Sequence, residues 1–159
     1  FLKGQENIME NRKVFLSYCH EDMNDKLQIM KYLRGTLNNY GYDLWHDGEI
    51  LTGSNFIDDV NSALEECSIF ICLLSQDYLS SNVCMNTELK TAIERNEIDK
   101  TAIFPIILSS CTWNQYVFKE IICQPKDAKP LDKFEDRNEC LVNINDELVR
   151  VLDELKKKN

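Results

Sequence analysis

An α/β fold with a flavodoxin-like, doubly wound parallel sheet, strand order 2-1-3-4-5 and helices on both faces, is the architecture this chain predicts. Two observations carry the prediction. Strand-like and helix-like segments alternate along the 159 residues, the signature of βαβ units. Near the middle, the apolar run Ser68 to Leu74 empties into a polar stretch from Ser75 to Leu89. There a buried strand hands over to a serine-capped helix carrying the carboxylate of Glu88. In open α/β sheets ligands settle where strand ends meet helix starts, which puts Glu88 among the candidate chemical residues.

Each element has its own signal. Val14 to Tyr18 is the first strand. Asp22 can cap a helix whose Leu27, Met30, Leu33 and Leu37 recur at helical spacing, and Gly41 suits a left-handed stop after it. Tyr42 to His46 is the second strand, followed by the glycine-bearing loop Asp47 to Gly53. Ser54 or Asn55 then caps a helix with Phe56, Ile57, Val60, Ala63 and Leu64 inward. The third strand, Ser68 to Leu74, leads to the Glu88 helix, capped at Ser80 or Ser81, with Met85, Leu89, Ala92 and Ile93 as its buried stripe. Ala102 to Leu108 is the fourth strand. Trp113, Tyr116 and Phe118 suggest a short helix, Pro125 to Pro130 a loop, and the region around Leu131 a fifth strand. Ile144, Leu148, Val151, Leu152 and Leu155 describe a final amphipathic helix, whose Lys156, Lys157 and Lys158 suit the negative end of its dipole.

The length fits one domain, residues 13–159, behind a flexible segment 1–12. Such a domain buries roughly two-thirds of the surface its unfolded chain would expose, so it needs no disulfide or metal staple. A net charge of −9 disfavours nucleic acid and anionic membrane surfaces as partners, because both are polyanions. The longest apolar run falls far short of the ~20 residues a membrane span requires. Seven cysteines without a CxxC pair point to a reducing cytoplasm. Lys3 and Glu6, with no long apolar core around them, do not read as a signal peptide. A chain opening on Phe1 reads as part of a larger protein.

Several chemistries lack their residues. His20 and His46 have no zinc-ligand spacing with any cysteine or carboxylate, so no metal site is expected. Neither GxGxxG nor GxxxxGK[ST] occurs, which removes the usual grounds for a redox dinucleotide and for a phosphate-cradling P-loop. Cys19 and His20 are adjacent near a strand end and point their side chains apart, so packing or ligand contact suits them better than a thiolate pair. Glu21, Asp22 and Asp77 resemble a phosphoacceptor cluster, but Asp77 falls three residues past its strand and capping accounts for Asp22. From pattern alone, Glu88 is most simply a solvated helix glutamate. On a flavodoxin-like switch point, however, the first and third strands lie side by side, and the flank of the Glu88 helix could face the cleft between their ends.

The residues resemble the Toll/interleukin-1 receptor (TIR) family. Val14-Phe15-Leu16-Ser17-Tyr18 is similar to its first box, and Leu44-Trp45-His46-Asp47 through Gly53 to its second strand and BB loop. Ser75 through Cys84 is similar to the stretch leading into its third helix, and Phe104 to Leu108 with Cys111-Thr112-Trp113 continues the match. The resemblance runs from Lys13 to Leu155, and Tyr18-Cys19-His20 with Cys84 four residues before Glu88 looks like the prokaryotic-type defence TIR domains.

That resemblance implies consumption of NAD⁺ as substrate, with no cofactor, by breaking the bond between nicotinamide and ribose. The essential residue would be the glutamate of a WxxxE motif, the position of Glu88; Cys84 stands where the tryptophan would be. One carboxylate suffices in principle. Nicotinamide is already a cationic pyridinium and leaves neutral, so the general acid of an ordinary glycosidase is unnecessary. What remains is negative charge beneath a ribose carbon becoming positive. Cys19, His20, Asp47, Ser75 and Cys84 are the implied substrate contacts, although Asp47 equally reads as a turn residue before Gly48 and Ser75 as a local cap. The resemblance also implies activation by association with other TIR domains through the loop Asp47 to Gly53, with a sensor fused or separate, in innate immune or antiphage defence. A non-enzymatic TIR adaptor, signalling only by homotypic binding, is the alternative.

Overall fold

The computed structural model describes residues 12–45 and 56–158. Apart from Arg12, the segment expected to be flexible lies outside the described residues, as do His46, Asp47, the rest of the 47–53 loop and the caps expected at Ser54 or Asn55. Four strands are described, β1 (Lys13–Ser17), β2 (Asp43–Trp45), β3 (Ile69–Leu74) and β4 (Ala102–Ile107). They pair in parallel in the order β2-β1-β3-β4. The chain winds outward in opposite directions from β1 and β3, so the switch point falls between them. In register, Phe15 lies opposite Trp45 on one side and Phe70 on the other, and Ser17 lies opposite Cys72.

Both faces of the sheet are covered. Helices α1 (Met23–Asn39) and α5 (Arg137–Lys158) lie on one face, where Ile29, Leu33, Leu37, Ile144, Leu148 and Leu152 pack on Val14, Leu16, Ile69 and Ile71. Each such buried side chain contributes about 1.5–3 kcal/mol relative to leaving it in water. Helix α2 (Phe56–Glu66), the one-turn α3 (Gln76–Ser80), a π-helical segment Val83–Leu89 and α4 (Lys90–Glu97) cover the other face. Gly41 ends α1 at φ +79°, and the amide of Tyr42 reaches back to the Leu37 carbonyl at 2.8 Å, the left-handed stop read from the sequence.

Three expectations are corrected. Asp22 precedes α1 but its side chain makes no capping bond; a 3-10 turn, His20–Asp22, intervenes between β1 and the helix. The helix expected through Trp113 to Phe118 is two separate 3-10 turns, Trp113–Gln115 and Val117–Glu120. Leu131 starts a 3-10 turn instead of a fifth strand, buried against the α1/α5 core. The amide of Asp132 bonds the Leu108 carbonyl at 3.1 Å, so this segment crosses beyond the end of β4. The β4 edge is met instead by a single parallel bridge at Gln124, whose amide donates to Pro105 and whose carbonyl accepts from Ile107, each at 2.8 Å. Pro105 tolerates this position because even-numbered β4 amides, Ala102 and Leu108 among them, face the β3 side, leaving its missing N–H on the outer edge.

Candidate functional site

Alternation along β1 decides which side chains reach the site. Val14, Leu16 and Tyr18 face α1 and α5, whereas Phe15 and Ser17 face the other side. Phe15 is stacked between Trp45, at 4.9 Å between ring centroids, and Phe70, at 5.7 Å. Trp45 is thus engaged in an aromatic row across the sheet. One pleat further on the pattern calls for another apolar group, and Ser17 occupies the place.

The buried Ser17 hydroxyl donates to Oε1 of Glu88 at 2.6 Å and lies 2.8 Å from the phenolic oxygen of Tyr78. Glu88 is only 7 % exposed. The solvated helix glutamate suggested by pattern alone is therefore excluded, since this carboxylate is aimed at the C-terminal end of β1. Two features of the chain put it there. Ser81 accepts from the Cys84 amide at 3.2 Å and starts the turn, in keeping with the expected cap, and the segment then adopts the wider π winding that marks many functional sites. Leu89 and Ala92 are buried and Met85 and Ile93 partly so, as their spacing predicts.

Tyr78 is completely buried, and its phenol is held well above its ordinary range, first by that burial and then by the neighbouring Cys72, Cys84 and Glu88, against an opposing effect of the Ser17 hydrogen bond. Its backbone amide donates to Ser75 Oγ at 3.1 Å, which makes Ser75 the N-cap of α3. The same hydroxyl donates to the carboxylate of Asp22. Ser75 therefore ties the turn after β1 to the helix after β3, across the switch point. Burial raises the Asp22 carboxyl above the usual range, opposed by the Ser75 bond and reinforced by the nearby Asp25, Asp77 and Glu21.

The remaining candidates sit around this core. Cys84 is buried, with its thiol 3.7 Å from the Tyr18 carbonyl. Cys19 is half-buried; its thiol donates to Glu21 at 2.7 Å and is pushed up to about 11, chiefly by burial, so at neutral pH it is a thiol and not a thiolate. His20 is exposed, edge-on to the Tyr18 ring at 6.1 Å. Cys19, His20, Ser75, Cys84 and Glu88 thus gather at the β1 and β3 ends, and Asp47 lies outside the described residues. Among the described residues no group of three or more His, Cys, Asp or Glu side chains is placed to hold a metal ion. No described helix is long and apolar enough to cross a membrane.

Two members of the cluster, Ser17 and Tyr78, escaped the sequence reading. Ser17 had a signal, a hydroxyl at an inward strand position where its neighbours are apolar. Tyr78 had none, because an aromatic residue in a short helix reads as core.

Comparison with known proteins bears on the fold and the family. The chain is 28% identical over 131 residues to the uncharacterized protein y4lF of Sinorhizobium fredii, covering 82% of this chain and 41% of that protein. It is 31% identical over 78 residues to the disease resistance protein RML1A of Arabidopsis thaliana, covering 49% of this chain and 8% of that protein. The chain therefore spans less than half the length of either curated relative. Among solved structures it is similar to the TIR domain of the Toll-related receptor TRR-2 of Hydra magnipapillata, with TM-score 0.54 and 20% identity over 69% of this chain and 80% of that one. The TIR domains of the activated Roq1 resistosome superpose with TM-score 0.53 and 20% identity, covering 85% of this chain and 84% of that one. These likenesses carry the fold, and a TIR domain family model matches residues 14–141. The parallel β2-β1-β3-β4 sheet and that match over most of the chain place it in one family: the chain is a member of the TIR domain family.

Proposed function

We propose that this TIR domain is an NAD⁺ glycohydrolase, with Glu88 as its catalytic carboxylate and NAD⁺ as substrate. The observation that carries the reading is the 2.6 Å bond from Ser17 to Glu88, a buried carboxylate anchored at the strand switch point where α/β sheets bind ligands. In the reaction the bond between the ribose C1′ and the pyridinium nitrogen breaks, its electron pair returns to the ring, and nicotinamide leaves neutral. The sugar carbon carries the positive charge left behind. A fixed carboxylate beneath it stabilises that charge without reorganising, which is where a preorganised site lowers a barrier most. Water then adds to C1′ and releases a proton, giving ADP-ribose; attack by an adenine ring nitrogen of the same molecule gives a cyclic ADP-ribose. Cys19, His20, Asp47, Ser75 and Cys84 are the proposed flanking contacts.

The domain acts, in this reading, as the effector module of a longer cytoplasmic protein or complex in innate immune or antiphage defence. Assembly with other TIR domains through the 47–53 loop switches it on. Support comes from family membership and from likeness to two relatives, a disease resistance protein and a resistosome. One observation favours the second reading, a non-enzymatic adaptor: Cys84 fills the tryptophan position of the family motif and spends its thiol on the Tyr18 carbonyl. The deciding experiment clusters the protein artificially, supplies NAD⁺ and measures nicotinamide. Release by the parent, with a loss of at least ~100-fold in Glu88→Gln, supports the enzyme. No release at any degree of clustering overturns it in favour of the adaptor.

A further inference from the structure

Ser17 stands between two partners, 2.6 Å from Glu88 Oε1 and 2.8 Å from the Tyr78 hydroxyl, and it owns a single proton. Either partner of the second contact can donate on distance alone. Counting protons decides between them. A separation of 2.6 Å lies within the range of an O–H donor on an ionised carboxylate, roughly 2.5–2.7 Å. When Ser17 gives its proton to Glu88, its oxygen must accept at the other contact, so the phenol donates to the serine. The phenol end of the chain is fully buried, and the carboxylate end keeps 7 % exposure.

We propose that Tyr78 and Ser17 are positioning residues for Glu88, forming a one-way relay from phenol to serine to carboxylate that clamps Oε1 against β1 and keeps the group charged. This assignment rests on Glu88 being the working carboxylate, and it adds the two residues that hold it ready. The relay runs in one sense because its far end cannot ionise near neutral pH: burial above all holds the Tyr78 phenol protonated. The other titratable groups gathered at this hydroxyl, among the described residues, are Cys84 from the π-helical segment and Cys72 from β3. Cys72 is pushed well above the ordinary thiol range by complete burial and stays neutral, so it neither supplies nor competes for the proton. Each donor in such a chain polarises the next, so loss of the distant phenol weakens the serine's bond to the carboxylate.

The test measures Glu88 directly. Carbon-13 NMR of its side-chain carboxyl is followed through a pH titration of the whole chain and of the Ser17→Ala, Tyr78→Phe and Ser17→Thr variants. Removing a donor from the charged form lets the proton bind more tightly, so the Glu88 midpoint rises by about one unit or more in Ser17→Ala, a tenfold change in proton affinity. The rise is smaller in Tyr78→Phe, and Ser17→Thr, which keeps the hydroxyl, stays close to the parent. In clustered protein the acid limb of kcat/KM for nicotinamide release moves by the same amounts, with kcat affected more than KM. An unmoved midpoint in either folded variant, Ser17→Ala or Tyr78→Phe, overturns the relay; Tyr78→Phe retains the packed ring and keeps the test open if Ser17→Ala does not fold. Shifted midpoints in a chain that releases no nicotinamide would leave the relay standing and remove the NAD⁺ reading. Release with unmoved midpoints would do the reverse.

Discussion

On the face covered by α1 and α5, the strands present Val14, Leu16, Ile69, Ile71, Leu73, Phe104 and Ile106, and the helices answer with Ile29, Leu33, Leu37, Leu141, Leu148 and Leu152. On the other face the same strands present Phe15, Ser17, Phe70, Cys72 and Leu74, met by Leu64, Tyr78, Cys84, Leu89 and Cys123. Four of the five fully covered cysteines lie on this second face, and Cys140 alone on the first. The covering elements differ in the same way. Helices of 17 and 22 residues close the first face, whereas the second is closed over the site by a five-residue helix and a seven-residue π segment. Long helices present a continuous stripe and suit hydrocarbon; short segments with new caps can turn single hydroxyls and a carboxylate inward and satisfy each. One face is mostly hydrocarbon, and the other gives up part of its apolar area to a buried polar cluster.

Substitutions can break that contrast or sharpen it. The largest stability effect belongs to the hydrocarbon face: Leu148→Ala should cost about 2–5 kcal/mol in chemical denaturation, by cavity formation, while under the proposed function nicotinamide release by the folded fraction stays at the parental rate. A comparable loss of activity without loss of stability would show that the two faces are not separable. On the site face, Cys72→Ala should cost about 1–2 kcal/mol, because only a thiol is removed from a fully buried place. The Ser17 to Glu88 bond should survive it, checked by the same Glu88 titration. The smallest effect concerns Asp22, whose folded carboxyl binds its proton more tightly than an ordinary one of ~3.9. The stabilisation tied to that proton is full at pH values below the unfolded range and fades as pH rises through the elevated folded one. Asp22→Asn keeps an acceptor for Ser75 and should gain slightly on the parent at pH 7, the gap closing in acid. A variant that loses ground at pH 7 would mean that the charge on Asp22 supports the turn it joins.

Much of the first face was legible in advance. The spacing of Met30, Leu33 and Leu37 and of Ile144, Leu148 and Leu152 is a helical period, and periodicity reports burial well when one long element faces one core. On the second face the apolar positions Val60, Leu64, Leu89 and Ala92 were legible by the same period, whereas Glu88 was legible through family resemblance more than pattern. The start of the Glu88 helix at Ser80 or Ser81 was legible from its serines, but the separate one-turn α3 before it and the π winding after it were not, because a segment shorter than two turns shows no period and π winding leaves the same residues inward. Asp22 was read as a local cap, yet its partner is Ser75, 53 positions away. Long-range polar pairings of this kind leave no mark on local composition. The fifth strand failed for a related reason: Leu131 is as buried as a strand residue, and burial without alternation does not specify the backbone.

Pro105 lies on the outer rim of β4, where the amide of Ile107 and the carbonyl of Pro105 itself are already taken by Gln124. A strand from another molecule arriving along that rim would find one rung absent and two occupied. Side-by-side extension of the sheet, the usual hazard of an uncovered margin, is thereby discouraged at this border. Copies of this domain that meet there are steered towards contact through side chains, whose identity evolution can tune, and away from main-chain pairing, which accepts any sequence.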